Sequence, residues 1–238
     1  MIELKKITKC YGPMVAIESL SLSIHEGKIL GLMGPNGSGK TTILRLIALL
    51  EELSSGLIEV NGEQIKSVNH QRLRQDIGFL FEQSTVFSGS TKDNVTYPLR
   101  LRGYPDSEIE SRVSNALKKV RLTGFEDRPA NTLSAGEAQR MGLARILVYS
   151  PAIFLFDEPT ANLDPYNAGL IEEVLKNLRA EGKIVVVVTH DVFQARRLAD
   201  FVAFILMGNL VEYGSAEQLF QSPCDPRTAA FIRGEMVY

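Results

Sequence analysis

The sequence predicts an α/β fold: a mostly parallel sheet with an antiparallel β portion at its N-terminal end and a helical subdomain inserted in its middle. Three observations carry this expectation. Near-continuous apolar runs at 28–33, 153–156 and 184–189 alternate with helical stretches, and strands apolar on both faces belong to a parallel sheet covered on both sides. The first thirty residues are β-rich. Residues from about 84 to 150 interrupt the alternation with helix-period patterns.

Each element follows in order. Stretches 2–7 and 20–24 read as short strands, and Glu26-Gly27 reads as a turn before the apolar run 28–33, which ends at Gly34. Residues 40–51 read as a helix, and Gly62 marks a strand–turn–strand hairpin. An apolar strand is expected at 77–81. Residues 106–122 have helical spacing, with Ile109, Val113, Ala116, Leu117 and Val120 on one face, and 135–149 read as a second helix of this middle region. Strands at 153–156 and 184–189 flank a helix near 167–180, and a hairpin turns at Gly208-Asn209. A single domain over 1–238 is expected, with its core at about 1–83 and 151–215, the helical subdomain at about 84–150 and a short helical tail at 216–238.

Composition narrows the function. The chain has 238 residues, 45% hydrophobic and 23% charged, with 26 Lys+Arg against 28 Asp+Glu and a net charge of −2. This is ordinary for a globular protein and enough for a sizeable core. A near-neutral balance argues against a general nucleic-acid coat, which needs a basic surface. No apolar stretch reaches the roughly 18–20 residues of a membrane span. The first residues lack the apolar core of a signal peptide. Cys10 and Cys224 share no metal or redox spacing, so free thiols in a cytosolic protein are expected.

Residues 34–41 fit G-x-x-x-x-G-K-[ST]: Gly34, Pro35, Asn36, Gly37, Ser38, Gly39, Lys40 and Thr41, followed by Thr42. Glycines let backbone N–H groups curl around an anion without a Cβ in the way. The helix that follows points the positive end of its dipole at phosphates. Lys40 supplies a mobile point charge for the β- and γ-phosphates, and the Thr41 hydroxyl suits Mg²⁺. A strand before and a helix after are the context a P-loop NTPase requires. Asp157 and Glu158 end the apolar strand 153–156, at the edge where an open parallel sheet binds ligands. Asp157 suits Mg²⁺, directly or through water, and Glu158 suits a base that orients or deprotonates an attacking water.

Leu133, Ser134, Ala135, Gly136 and Glu137, followed by Ala138-Gln139-Arg140, add the discriminating motif. With it the chain resembles the nucleotide-binding subunit of ATP-binding cassette (ABC) transporters over essentially its whole length. The family form is LSGGQ, so Ala135 and Glu137 depart from it. Ser134 still offers a hydroxyl, and Gly136 a bare N–H, at a helix start. The resemblance implies further roles. Tyr11, 23 residues before Gly34, falls where the family stacks an aromatic ring on adenine. Asp164, in Ala161-Asn162-Leu163-Asp164, matches the loop that crosses the dimer interface. His190, after IVVVVT, matches the switch histidine that contacts the γ-phosphate. The family also carries a Gln that reaches the metal and the lytic water. Here the segment reads Phe81-Glu82-Gln83-Ser84-Thr85-Val86-Phe87. Counting back from Val86-Phe87 puts Glu82 at that position, and a shift of one residue would put Gln83 there.

The resemblance implies ATP and Mg²⁺ and a head-to-tail dimer with a second copy of the chain. Each nucleotide is held between the phosphate loop of one copy and the signature of the other. It implies separate transmembrane permease subunits, an extracytoplasmic solute-binding protein, no nucleic-acid partner, and a peripheral place on the cytoplasmic face of the cell membrane. Val86-Phe87 and Tyr97-Pro98-Leu99 are the expected permease contact. Three alternatives stand beside this reading, and Glu158 argues against one of them, a nucleotide-binding module that no longer hydrolyses. A soluble ABC ATPase of translation or DNA repair would usually carry two cassettes or long coiled-coil insertions. A kinase or GTPase would leave the signature unexplained, and no N-K-x-D motif occurs. DNVTYPLRLRG and TANLDPYN resemble importers of inorganic oxyanions such as tungstate, molybdate or phosphate. Other solutes, and export, stay open.

Overall fold

The structure, a computed structural model, describes residues 1–65 and 70–235. The expected core at 1–83 and tail at 216–238 each include a few residues outside these. The chain opens with β1 (Ile2–Tyr11), β2 (Met14–Ile24) and β3 (Lys28–Met33), then α1 (Lys40–Ile47), β4 (Ser55–Val60), β5 (Glu63–Gln64), α2 (His70–Gln75) and β6 (Ile77–Leu80). Helices α3 (Thr91–Leu101), α4 (Asp106–Lys119) and α5 (Ala135–Leu147) follow. The last stretch runs β7 (Ile153–Asp157), α6 (Pro165–Ala180), β8 (Ile184–Val188), α7 (Val192–Leu198), β9 (Phe201–Leu206), β10 (Asn209–Ser215), α8 (Ala216–Gln221) and α9 (Pro226–Ile232).

Two sheets form. The antiparallel one has the order β2-β1-β4-β5 and the larger one the order β10-β9-β3-β8-β7-β6, whose strands are parallel except for β10 against β9. Period-2 geometry explains the continuous apolar runs. Ile153 and Leu155 of β7, with Ile184, Val186 and Val188 of β8, face a core shared with α1 and the antiparallel sheet. Phe154, Phe156, Val185 and Val187 face a second core built with α3, α4, α5 and α6. Neither face of these strands meets water. A third cluster seats Leu219 and Phe220 of the tail on Val202 and Phe204. Among the described residues, no helix is long and apolar enough to cross a membrane.

Several boundaries differ from the sequence expectation. β1 runs four residues past 7, and β2 starts six before 20, because the pair zips up as one long hairpin to Tyr11–Met14 although its tip is exposed. The first helix stops at Ile47 rather than at 51, because Leu49 turns left-handed (φ 58°). Left-handed Arg121 and Ser150 likewise bound the chain after α4 and α5. Helix α3, which no clean apolar period announced, carries Pro98 in its interior and starts on a Ser90–Asp93 capping box. Helix α7, capped by Asp191, was also missed.

Candidate nucleotide site

The loop between β3 and α1 wraps onto the helix start. Gly39 there takes φ +102°, and a Cβ on it would lie 2.6 Å from Ile17 Cδ1 and 2.8 Å from the Ala16 carbonyl oxygen, so only glycine fits. Lys40 is buried and donates from Nζ to the carbonyl oxygens of Gly34 (2.8 Å) and Pro35 (2.7 Å). Burial pushes its ammonium below the usual lysine value, partly countered by the Glu158 and Asp157 carboxylates. Ser38 Oγ is buried in the same loop without a hydrogen-bond partner among the described residues. An orphaned hydroxyl beside a buried cation suits an anion.

The acidic strand end meets this loop. Thr41 Oγ1 donates to Asp157 Oδ1 at 3.0 Å. Burial raises the Asp157 pKa, with Glu158 and Glu82 adding repulsion against the relief from Thr41 and Arg45. Glu158 takes a left-handed backbone (φ 46°), while its N–H donates to the Val188 carbonyl at 3.0 Å. That conformation costs on the order of 1–2 kcal/mol for a residue with a Cβ, a strain common where function fixes an orientation. Its Oε2 lies 2.6 Å from His190 Nδ1, an ion pair whenever the imidazole is protonated.

A cavity of about 730 Å³ joins these parts. Asn36, Gly37, Gly39, Lys40, Thr41 and Thr42 line it, together with Tyr11, Glu82, Asp157, Glu158 and His190. Gly34 and Pro35 contribute through their carbonyls to Lys40. Glu82 reaches the wall and Gln83 does not. The Thr41 hydroxyl with the Asp157 and Glu82 carboxylates is an all-oxygen donor set, which fits Mg²⁺. Tyr11 donates its hydroxyl to Glu51, and Lys9 Nζ stands 4.9 Å from its ring centroid. Desolvation, then Glu51, raises the Tyr11 pKa.

Leu133, Ser134, Ala135, Gly136, Glu137 and Asp164 are absent from this wall. Ser134 caps α5: its Oγ accepts from Glu137 N at 3.3 Å, and the Glu137 carboxylate accepts from Ser134 N at 2.8 Å. Glu137 thus completes a capping box. The hydrogen bond from the Ser134 backbone N–H, working against desolvation, holds the Glu137 carboxyl below the usual range. Asp164 caps α6 and also accepts from Asn167. A Cβ on Gly136 would sit 2.4 Å from Asn167 Cγ, so this glycine lets α5 and α6 touch. Arg140 donates to Asn167 Oδ1 (3.0 Å) and to the carbonyl oxygens of Val120 (2.8 Å) and Arg121 (2.9 Å). Sequence reasoning missed Glu51, Arg140, Asn167 and the buried Gln139, whose only signal was a polar residue on a helix face otherwise committed to the core.

A family profile described as "ABC transporter" matches residues 17–161. The chain belongs to the ABC transporter family. It binds and hydrolyses ATP, with Mg²⁺ the ion of such ATPases, and powers solute transport. A probable anion import ATP-binding protein of Haloferax volcanii is 37% identical, over 96% of this chain and 85% of that protein. The Fe(3+) ions import ATP-binding protein FbpC of Escherichia coli is 38% identical, over 97% of this chain and 66% of that protein. An ATP-binding cassette solved as a dimer in a post-hydrolysis state with ADP and Pi superposes with a TM-score of 0.83 at 32% identity, covering 91% of this chain and 99% of that one. That solved cassette shares the fold over nearly all of this chain.

The raised pKa of Asp157 has a testable sign. The folded state penalises its ionised form, so the penalty is fully present at neutral pH and is relieved as pH falls through the raised value. Asp157→Asn, which keeps an acceptor for Thr41, should raise the urea midpoint of the ligand-free protein at pH 7. The gap over the wild type should close in acid, while Mg²⁺-dependent turnover drops. Urea melts across pH measure it, and a lower midpoint at pH 7 contradicts the electrostatic account.

Proposed function

We propose that this chain is the single nucleotide-binding domain of an importer, peripheral on the cytoplasmic face of the membrane, with residues about 84–150 as its helical subdomain. It works as a head-to-tail dimer with a second copy and docks on permease subunits served by an extracytoplasmic solute-binding protein. The observation that carries the reading is the split between the two halves of the site. Phosphate loop, Asp157, Glu158 and His190 converge on one cavity, while Ser134–Glu137 stands off it. A signature that cannot reach its own chain's nucleotide serves a neighbour's, and the dimeric cassette with ADP and Pi supports that arrangement.

In this reading Lys40 and the loop N–H groups hold the β- and γ-phosphates, and Tyr11 stacks on adenine. Thr41, Asp157 and Glu82 hold Mg²⁺, which supplies charge neutralisation on the phosphate oxygens. Glu158 takes a proton from the attacking water, the water oxygen bonds to γ-phosphorus, and the bond to the β–γ bridging oxygen breaks, leaving ADP and phosphate. His190 orients Glu158 through Nδ1 and offers Nε2 towards the γ-phosphate. Ser134 and Gly136 close the partner's site, and Asp164 crosses the interface. Nucleotide binding closes the dimer, hydrolysis opens it, and the permease follows. For the cargo, an inorganic oxyanion is favoured by the DNVTYPLRLRG and TANLDPYN segments and by the anion-import relative. Uptake of labelled phosphate, molybdate and tungstate in cells lacking the gene, with Fe³⁺ as the competing class, tests it.

The permease contact is proposed at Phe87 and Tyr97. Both rings are exposed (39% and 49%) and pack at 5.1 Å, whereas Leu99 belongs to the core. Phe87→Asp should abolish co-purification with the permease while ATP affinity stays within about twofold, because the ring lies outside the nucleotide cavity. Unfolding of the variant would instead make Phe87 a core residue.

Glu158→Gln should convert the protein from monomer to dimer on size-exclusion chromatography with Mg-ATP, with turnover falling a hundredfold or more, roughly the span of general-base catalysis. Turnover at the wild-type rate removes Glu158 from the mechanism.

Glu82→Gln should shift the Mg²⁺ dependence of turnover to higher concentration, because a neutral oxygen holds the ion less tightly than a carboxylate. Gln83→Ala should leave that dependence unchanged. The reverse pattern in a Mg²⁺ titration would move the contact to Gln83.

A further inference from the structure

Helix α5 carries one buried amide in its second turn. Gln139 is 4% exposed. Its Nε2 donates to the carbonyl oxygens of Phe81 (3.0 Å) and Pro159 (3.3 Å), and its Oε1 accepts from the Ser84 N–H (3.1 Å). Phe81 directly precedes Glu82, and Pro159 directly follows Glu158. One side chain therefore ties together the two backbone segments that carry the carboxylates of the cavity.

The 81–84 side of this tie has little else. Residues 82–86 form neither helix nor strand, and among the described residues no backbone–backbone hydrogen bond reaches them. Gln139 supplies the Ser84 partner, and the next anchor is Asn94, which binds the N–H and C=O of Phe87. A Cβ on Gly142, one turn further along α5, would lie 2.0 Å from Ser84 Oγ, so the segment also lies hard against the helix. On the other side, Pro159 has no N–H to give, which leaves its carbonyl as its one backbone hydrogen-bonding group.

We infer that Gln139 is a positioning residue for hydrolysis: it sets the distance between the Glu82 segment and the Glu158 turn. The amide is the side chain that does this, since it offers two donors and an acceptor in one plane. It touches neither nucleotide nor metal, so its loss should act on the geometry of the reacting groups rather than on ATP binding. The inference rests on the reading of Glu158 as base.

The test uses the full chain with Gln139→Glu and Gln139→Met. Glu keeps the shape and the acceptor for Ser84 but turns a second oxygen onto two carbonyls. Met keeps the volume and removes all three bonds. The kcat should fall about tenfold or more, since misplacement of order an ångström costs that much. The KM and the affinity for a fluorescent ATP analogue should stay within about twofold. Amide hydrogen exchange at 81–84 and 158–160 should quicken in the absence of nucleotide. Gly142→Ala, which pushes Ser84 from the helix side, should give the same split of kcat from KM and carries the test if the Gln139 variants do not fold. Wild-type kcat in both Gln139 variants, with Glu158→Gln inactive, overturns the inference. Wild-type turnover in Glu158→Gln overturns the reading beneath it, and the inference with it.

Discussion

Three parallel strands in register are the constraint on which the site depends. Leu32 of β3 lies opposite Val188 of β8, which lies opposite Asp157 of β7. The three chains therefore leave the sheet at one level. One continues into the phosphate loop, one into Glu158, and one into Thr189-His190. Had any strand slipped by two residues, its functional group would move about 7 Å along the sheet. Burial on both faces makes such a slip costly, because it would misplace the branched side chains of both cores.

Against this rigid edge, the second half of the machinery is fastened by side chains. Helix α5 is joined to α6 through Gly136, Asn167 and Asp164, to the end of α4 through Arg140, and to the strand-end loops through Gln139. These polar contacts run from buried, at Gln139 and Arg140, to exposed, at Asp164, and they add to the apolar face that α5 gives the second core. Each has a partner, which buried polar groups require if they are not to destabilise the fold. Its first turn belongs to the proposed partner contact, and its second turn touches the two segments that carry Glu82 and Glu158.

Much of the fold could be read in the sequence because strand and loop signals are local. Continuous apolar runs marked β3, β7 and β8, and the glycine loop with its lysine marked one wall of the cavity. Asp157 and Glu158 could be placed because a strand end is visible as the end of an apolar run. The length of the β1–β2 hairpin was not legible, since its tip at Tyr11, Met14 and Val15 is exposed and is held by pairing rather than by burial. Helix α3 was hidden by Pro98 and by few apolar positions. Gln139, Asn167 and Glu51 were illegible for another reason. Their hydrogen-bond partners lie 20 or more residues away, except for Asn167 with Asp164, and no local pattern distinguishes a long-range amide contact from a surface glutamine or asparagine.

The two carbonyls that hold Lys40 bear on how fast the protein can cycle. An ammonium buried without acceptors would cost several kcal/mol, and a product leaving such a site would have to bear that cost on departure. In the proposed role of Lys40, Gly34 and Pro35 would stand in for the departing oxygens. Occupancy is then a swap between two sets of acceptors, and only the difference between them appears as affinity. A weak net hold is what a repeating motor needs, because each stroke ends only when the spent ligand is let go.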